Sequence, residues 1–215
     1  MKMLIIGMGP GIGFSLAKRF GAEGAEILMV ARNAKKLAGF KKALGAAGIA
    51  SKSYVADIGN VQAYTAVLQQ IAQEHPDIDI LHYNASVYNP TLPSQLAYST
   101  FLNEININTG GALLAVQAFL PAMKLRGNGA IFFTGGGSAH NAPPELVSLS
   151  IGKAGIRNLA LCLAQECASD GIQVATVTVN GMVAPGTKHD PDIIAGMFWG
   201  LYQLPKTQWV WEKTI

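Results

Sequence analysis

The feature that most constrains this chain is a glycine-dense turn, Gly7-Met8-Gly9-Pro10-Gly11-Ile12-Gly13, set between the apolar run Met3–Gly7 and the helical pattern Phe14–Phe20. Glycines at this spacing let the backbone turn tightly and approach a bulky anion closely. The helix that follows turns its unpaired N–H groups and the positive end of its dipole toward the same point. A strand, a glycine turn and a helix in that order therefore predict a seat for a pyrophosphate, formed by Gly7, Gly9, Pro10, Gly11, Ile12 and Gly13.

The rest of the chain repeats the same plan. Apolar runs at Met3–Gly7, Glu26–Ala31, Ser53–Asp57, Ile78–Asn84, Ala130–Thr134 and Gln173–Val179 alternate with helix-like segments. Their hydrophobicity is continuous instead of alternating, as expected for parallel strands covered on both faces. Trp209-Val210-Trp211 reads as a final edge strand, and Asn33 is placed to cap a helix from Ala34. The expected fold is α/β, a single Rossmann-like doubly wound parallel sheet with helices on both faces. One domain spans 1–215, with 184–205 as a possible substrate lid; its Phe198, Trp199 and Tyr202 fit a closing lid and the ordinary packing of a last helix equally well.

Half of the 215 residues are apolar, 13% are charged and the net charge is +3, with no long basic run. Disorder, nucleic-acid coating and attachment to a membrane surface have no support in such a chain. Cys162 and Cys167 stand in no metal-ligand spacing, so no metal site is expected. The start of the chain briefly imitates a secretory signal, but its glycines and proline break the apolar stretch. No apolar run is read as long enough to cross a bilayer, and a reducing, cytoplasmic setting is expected. The stretches near 111–125 and 152–168 are apolar nearly all round. They predict cover on two sides, one by the sheet and the other by a second copy, hence a homodimer or homotetramer, with burial beneath the C-terminal segment as the alternative.

At the end of the second strand, where a carboxylate would favour NAD, the chain has Ala31, Arg32 and Asn33. An arginine can hold a 2′-phosphate that a carboxylate would repel, so NADP(H) is expected over NAD(H).

With these residues in view, the sequence resembles the short-chain dehydrogenase/reductase family over roughly residues 3 to 187. Gly7, Gly11 and Gly13 match its glycine pattern. Asp57-Ile58 stands where the family contacts adenine, and Asn84-Ala85-Ser86 resembles its Asn-Ala-Gly signature. The resemblance makes Asn108 the active-site asparagine and Lys153 the lysine that binds the nicotinamide ribose. Gly181 and Val183 lie where the family meets the nicotinamide. Two departures matter: Leu149 stands at the place of the catalytic tyrosine and Gly136 at that of the catalytic serine. The replacement donors considered are Tyr88 and Ser138 first, then Ser148, Ser150 and His140.

The resemblance implies an NADP-dependent oxidoreductase that transfers hydride to a small or medium apolar carbonyl or enoyl substrate, with a non-standard proton donor. The alternative is a catalytically degenerate NADP(H)-binding sensor or partner subunit.

Overall fold

A computed structural model describes residues 1–215. Seven strands form one sheet: β1 (Lys2–Ile6), β2 (Glu26–Ala31), β3 (Ser51–Val55), β4 (Ile80–Tyr83), β5 (Gly129–Gly136), β6 (Ile172–Val179) and β7 (Glu212–Thr214). Their order is β3-β2-β1-β4-β5-β6-β7 and every pairing is parallel. The helices are α1 (Ile12–Ala22), α2 (Ala34–Ala46), α3 (Val61–Glu74), α4 (Tyr98–Ile105), α5 (Gly111–Arg126), α6 (Val147–Glu166) and α7 (Pro191–Tyr202).

The apolar strands are explained by a core on each face. Met3 and Ile5 of β1 point into one core with Leu16 and Phe20 of α1, Leu37 of α2 and Phe198 of α7. Leu4 and Ile6 point into the other, with Leu68 of α3, Val116 of α5 and Ile156 of α6. Successive side chains of a strand leave opposite faces, so a strand sandwiched between helices must be apolar at every position. The expected doubly wound α/β architecture is present.

The strand order reverses between β1 and β4, and the crevice at such a reversal, outside the carboxyl ends of the strands, is where this architecture binds ligands.

Three expectations are corrected. The edge strand is Glu212–Thr214 instead of Trp209–Trp211, because Thr178 Oγ1 and Arg157 both bond Glu212 and fix the register there. The expected lid at 184–205 is largely α7, whose Ile194, Ala195, Phe198 and Leu201 are wholly buried against α1 and the sheet. Finally, α6 is by length and composition apolar enough to span a membrane, although its Ile156, Ala160 and Leu163 belong to the sheet core.

Candidate functional site

The glycine turn has the geometry its sequence demands. Gly7 adopts φ +90°, a conformation L side chains rarely take, and a Cβ there would overlap the Ala85 backbone. A Cβ on Gly13 would stand 3.3 Å from Gly7 O and from Met8 Cα, so a side chain there would crowd the backbone of the turn as α1 leaves it. Around Gly9 and Gly11 the space is open.

At the start of α1, the N–H groups of Gly11, Ile12 and Gly13 have no main-chain or side-chain acceptor. No side chain caps this helix and its first turn holds no acidic residue. Three free donors and an uncompensated positive dipole end thus face one point.

That point opens on a cleft of about 1160 Å³, lined by Gly9, Gly11, Ile12 and Gly13 on one side and by the end of β5 on the other. Beside it, sharing Asn84 and Ser86, a smaller open cavity of about 330 Å³ is lined by Gly7, Met8, Val30, Ala31, Arg32, Asp57, Ile58 and Asn84–Val87. Arg32 enters no ion pair or hydrogen bond, so its guanidinium is free at the rim. Asn33 accepts the Lys36 N–H and caps α2, the part its position predicts. Asp57 accepts the Gly59 N–H and steadies the turn after β3.

A hydrogen-bonded chain ties the turn to the centre of the sheet. Asn84 Nδ2 donates to Gly7 O at 2.9 Å, and Thr134 Oγ1 donates to Asn84 Oδ1 at 2.8 Å. The single Thr134 hydroxyl proton is spent on Asn84, so the 2.9 Å contact with His82 Nε2 requires the histidine to donate. Nδ1 of His82 is then unprotonated, and it has no partner. Burial, then the nearby Lys153 charge, push the His82 pKa down to about 3 and keep the ring neutral.

The same threonine holds Lys153, whose Nζ donates to Thr134 O at 2.7 Å. Burial lowers the Lys153 pKa to about 8. Its stem crosses Gly136, and Leu149, Ser138, Tyr88, Gly181 and Val183 line the same cleft. Tyr88 is 52% exposed on the loop after β4.

Asn108 is elsewhere. It sits in a π-helical turn, Asn106–Gly110, with Gly152 of α6 packed against its side chain. Its amide is committed to Val87 N at 2.7 Å and Val87 O at 2.9 Å, which positions the loop carrying Tyr88 and leaves the side chain behind the cleft wall. Ser148 is likewise spent, donating to the buried Glu104, which also accepts from Asn89. Ser150 is buried without a partner. His140 faces the cleft with Nε2 3.9 Å from Glu212.

Sequence reasoning missed Met8, Thr134 and His82. A lone histidine in an otherwise apolar strand was the available signal for His82.

A profile of the short chain dehydrogenase family matches residues 1–192. D-xylose 1-dehydrogenase of Caulobacter vibrioides is 30% identical over 176 residues, covering 82% of this chain and 69% of that protein. A crystal structure of a short-chain dehydrogenase from Rhodopseudomonas palustris superposes with a TM-score of 0.88 at 26% identity, over 100% of this chain and 97% of the other. A metagenomic short-chain oxidoreductase solved in complex with NADP gives 0.91 at 23% identity, over 100% and 96% of the two chains, and supports the fold.

Proposed function

The chain belongs to the short-chain dehydrogenase family, and on that premise we propose that it is an NADP-dependent oxidoreductase acting on a small or medium apolar carbonyl or enoyl compound. The observation that carries this reading is the set of three unpaired N–H groups at the start of α1, facing a cleft that shares Asn84 and Ser86 with a second cavity lined by a free arginine. The cradle fits a dinucleotide diphosphate in shape, donor count and sign.

In this reading Gly9, Pro10, Gly11, Ile12 and Gly13 hold the diphosphate, while Ala31, Arg32 and Asn33 receive the adenosine ribose and its 2′-phosphate. Arg32 favours NADP(H) over NAD(H) by a charge-assisted fork. Asp57, Ile58, Asn84, Ala85 and Ser86 enclose the adenine side, Lys153 bonds the nicotinamide ribose, and Gly181 and Val183 orient the nicotinamide. A bound nicotinamide supplies a hydride to an electrophilic carbon.

The chain's own residues then orient the substrate and supply the proton. Leu146, Leu149, Met182 and Val183 give the cleft its apolar wall. At Gly135, Gly136 and Gly137 the place of a side chain is taken by Thr176, the Lys153 stem and Asn180, so these glycines admit close neighbours at the cleft floor. Ser138 and Tyr88 are hydroxyls within the cleft, and Asn108 positions the Tyr88 loop.

Two further features complete the reading. Leu113, Leu125 and Ile151 are exposed on α5 and α6, which supports a homodimer or homotetramer through these helices. Both cysteines are free, in keeping with a reducing cytoplasm.

A second reading, a sensor or partner subunit that holds NADP(H) without turnover, is favoured specifically by Leu149 and Gly136, which remove two hydroxyls from the cleft. The separating experiment titrates NADPH by fluorescence. It then follows the ultraviolet band of the reduced nicotinamide against a panel of aliphatic aldehydes, ketones and enones. Binding with substrate-dependent oxidation supports the enzyme, and binding with no oxidation across the panel supports the sensor.

A further inference from the structure

Carbonyl reduction leaves a negative charge on oxygen, and the wall of this cleft is short of acids to quench it. Leu149 has no proton to give. Ser148 donates to Glu104 and faces away, while the Asn108 amide is spent on Val87. Tyr88 is mostly exposed on a loop, and His140 is drawn toward Glu212 at the sheet edge. A serine hydroxyl such as that of Ser138 is too weak an acid without a relay.

Lys153 is placed differently. It lies one turn of α6 beyond Leu149, it lines the cleft, and its stem occupies the space above Gly136, with Cγ, Cδ and Cε at 3.2, 3.4 and 3.5 Å from where a Cβ would be. Its ammonium is anchored by one bond, to Thr134 O, and enters no ion pair. An ammonium has three N–H bonds, so with one on Thr134 and one on the nicotinamide ribose of the reading above, a third remains for the substrate oxygen.

We propose that Lys153 is itself the proton donor, its ammonium protonating the nascent alkoxide in place of the hydroxyl that Leu149 lacks. The proposal rests on the carbonyl-reductase reading above. As hydride forms the new C–H bond, the π electrons of the carbonyl move onto oxygen. One Lys153 N–H bond then breaks as the O–H bond forms. The lysine is left as a neutral amine, and water in the open cleft returns its proton.

Burial supports this chemistry by holding the lysine at about 8, where it is charged at neutral pH yet releases a proton readily. The titratable groups on the surrounding elements are His82 of β4, Tyr88 of the loop after it, Glu104 of α4, His140 and Glu145 between β5 and α6, Arg157 of α6 and Glu212 of β7. His82 is held neutral, Glu104 is bonded to Ser148 and Asn89, and Glu212 to Arg157 and Thr178. No carboxylate is within ion-pair distance of the Lys153 Nζ to hold its proton back.

The test pairs a chemical titration with kinetics. The intact protein without cofactor is pulse-labelled with acetic anhydride across a pH series, and the peptide carrying Lys153 is quantified by mass spectrometry. The expected midpoint is near pH 8, against about 10.4 for ordinary lysines. Reduction of the best carbonyl in the panel should fall above that same pH in the wild type. Lys153→Arg keeps the charge but not the acidity and should lose about 100-fold or more in turnover. A labelling midpoint near 10 overturns the proposal without reference to any variant, and so does an alkaline limit that does not coincide with the midpoint. Turnover that survives Lys153→Arg within about threefold overturns it too, while leaving the carbonyl-reductase reading intact. Should the wild type reduce no carbonyl while binding NADPH, the parent reading fails, and this proposal with it.

Discussion

Lys153 packs directly on Gly136: a Cβ on the glycine would lie 3.2 Å from the lysine's Cγ, so a side chain there must displace the lysine stem. The backbone does not require a glycine there, since Gly136 is extended at φ −159°. The lysine stem therefore fills the place where the family resemblance expects a serine.

Restoring that serine is expected to harm the site. Gly136→Ser pushes the lysine stem aside by a few tenths of an ångström, costing about 1 kcal/mol of stability. Turnover should fall about tenfold as the ammonium leaves its position, a size consistent with small misplacements of reacting groups. Steady-state kinetics and thermal denaturation of the variant check both figures.

Gly7 permits no side chain. Gly7→Ala combines a positive φ with overlap onto Ala85, and is expected to cost about 2 kcal/mol or more and to abolish NADPH binding. Denaturant unfolding and fluorescence titration measure the two effects separately. Unchanged stability would mean that the turn adopts another conformation.

Arg32 is free in the structure, so its removal breaks no protein contact. Arg32→Ala should leave the melting temperature within the scatter of surface substitutions while weakening NADP(H) at least about tenfold. The affinity for NAD(H) should hardly change. Equal losses for both coenzymes would remove the 2′-phosphate role from this residue.

His82 makes stability depend on pH. Its folded pKa of about 3 lies below the unfolded value of about 6.5. Between those values the unfolded chain binds a proton that the folded chain refuses, so stability falls as the pH falls. The slope due to this group is about 1.4 kcal/mol per pH unit, beginning below about pH 6.5. His82→Leu should flatten the acid side by that amount, because Thr134 still has Asn84 to donate to. Urea unfolding of the two proteins at pH 7 and 5 tests the difference.

Much of the architecture was legible because parallel strands leave a local record. Met3–Ile6 is apolar at every position since both faces of β1 are buried, and Gly7 to Gly13 sits where β1 hands over to α1. The edge strand lies beyond Trp209 to Trp211, whose composition suits a strand, because the pairing that decides the register, Glu212 with Arg157 and Thr178, is made by residues distant in sequence. Phe198 and Trp199 read equally well as lid or core, and only the packing of α7 on α1 settles Phe198 as core. The chain from His82 through Thr134 to Asn84 was not legible at all. It joins neighbouring strands, and no spacing along the sequence encodes which polar residues meet across a sheet.

The glycine turn as a diphosphate seat is the claim on which the other roles depend. Calorimetric titration of the intact protein with NADPH tests it directly: saturable binding of one molecule per chain, tighter than that of NADH, is the expected result. A flat titration with both coenzymes would contradict it.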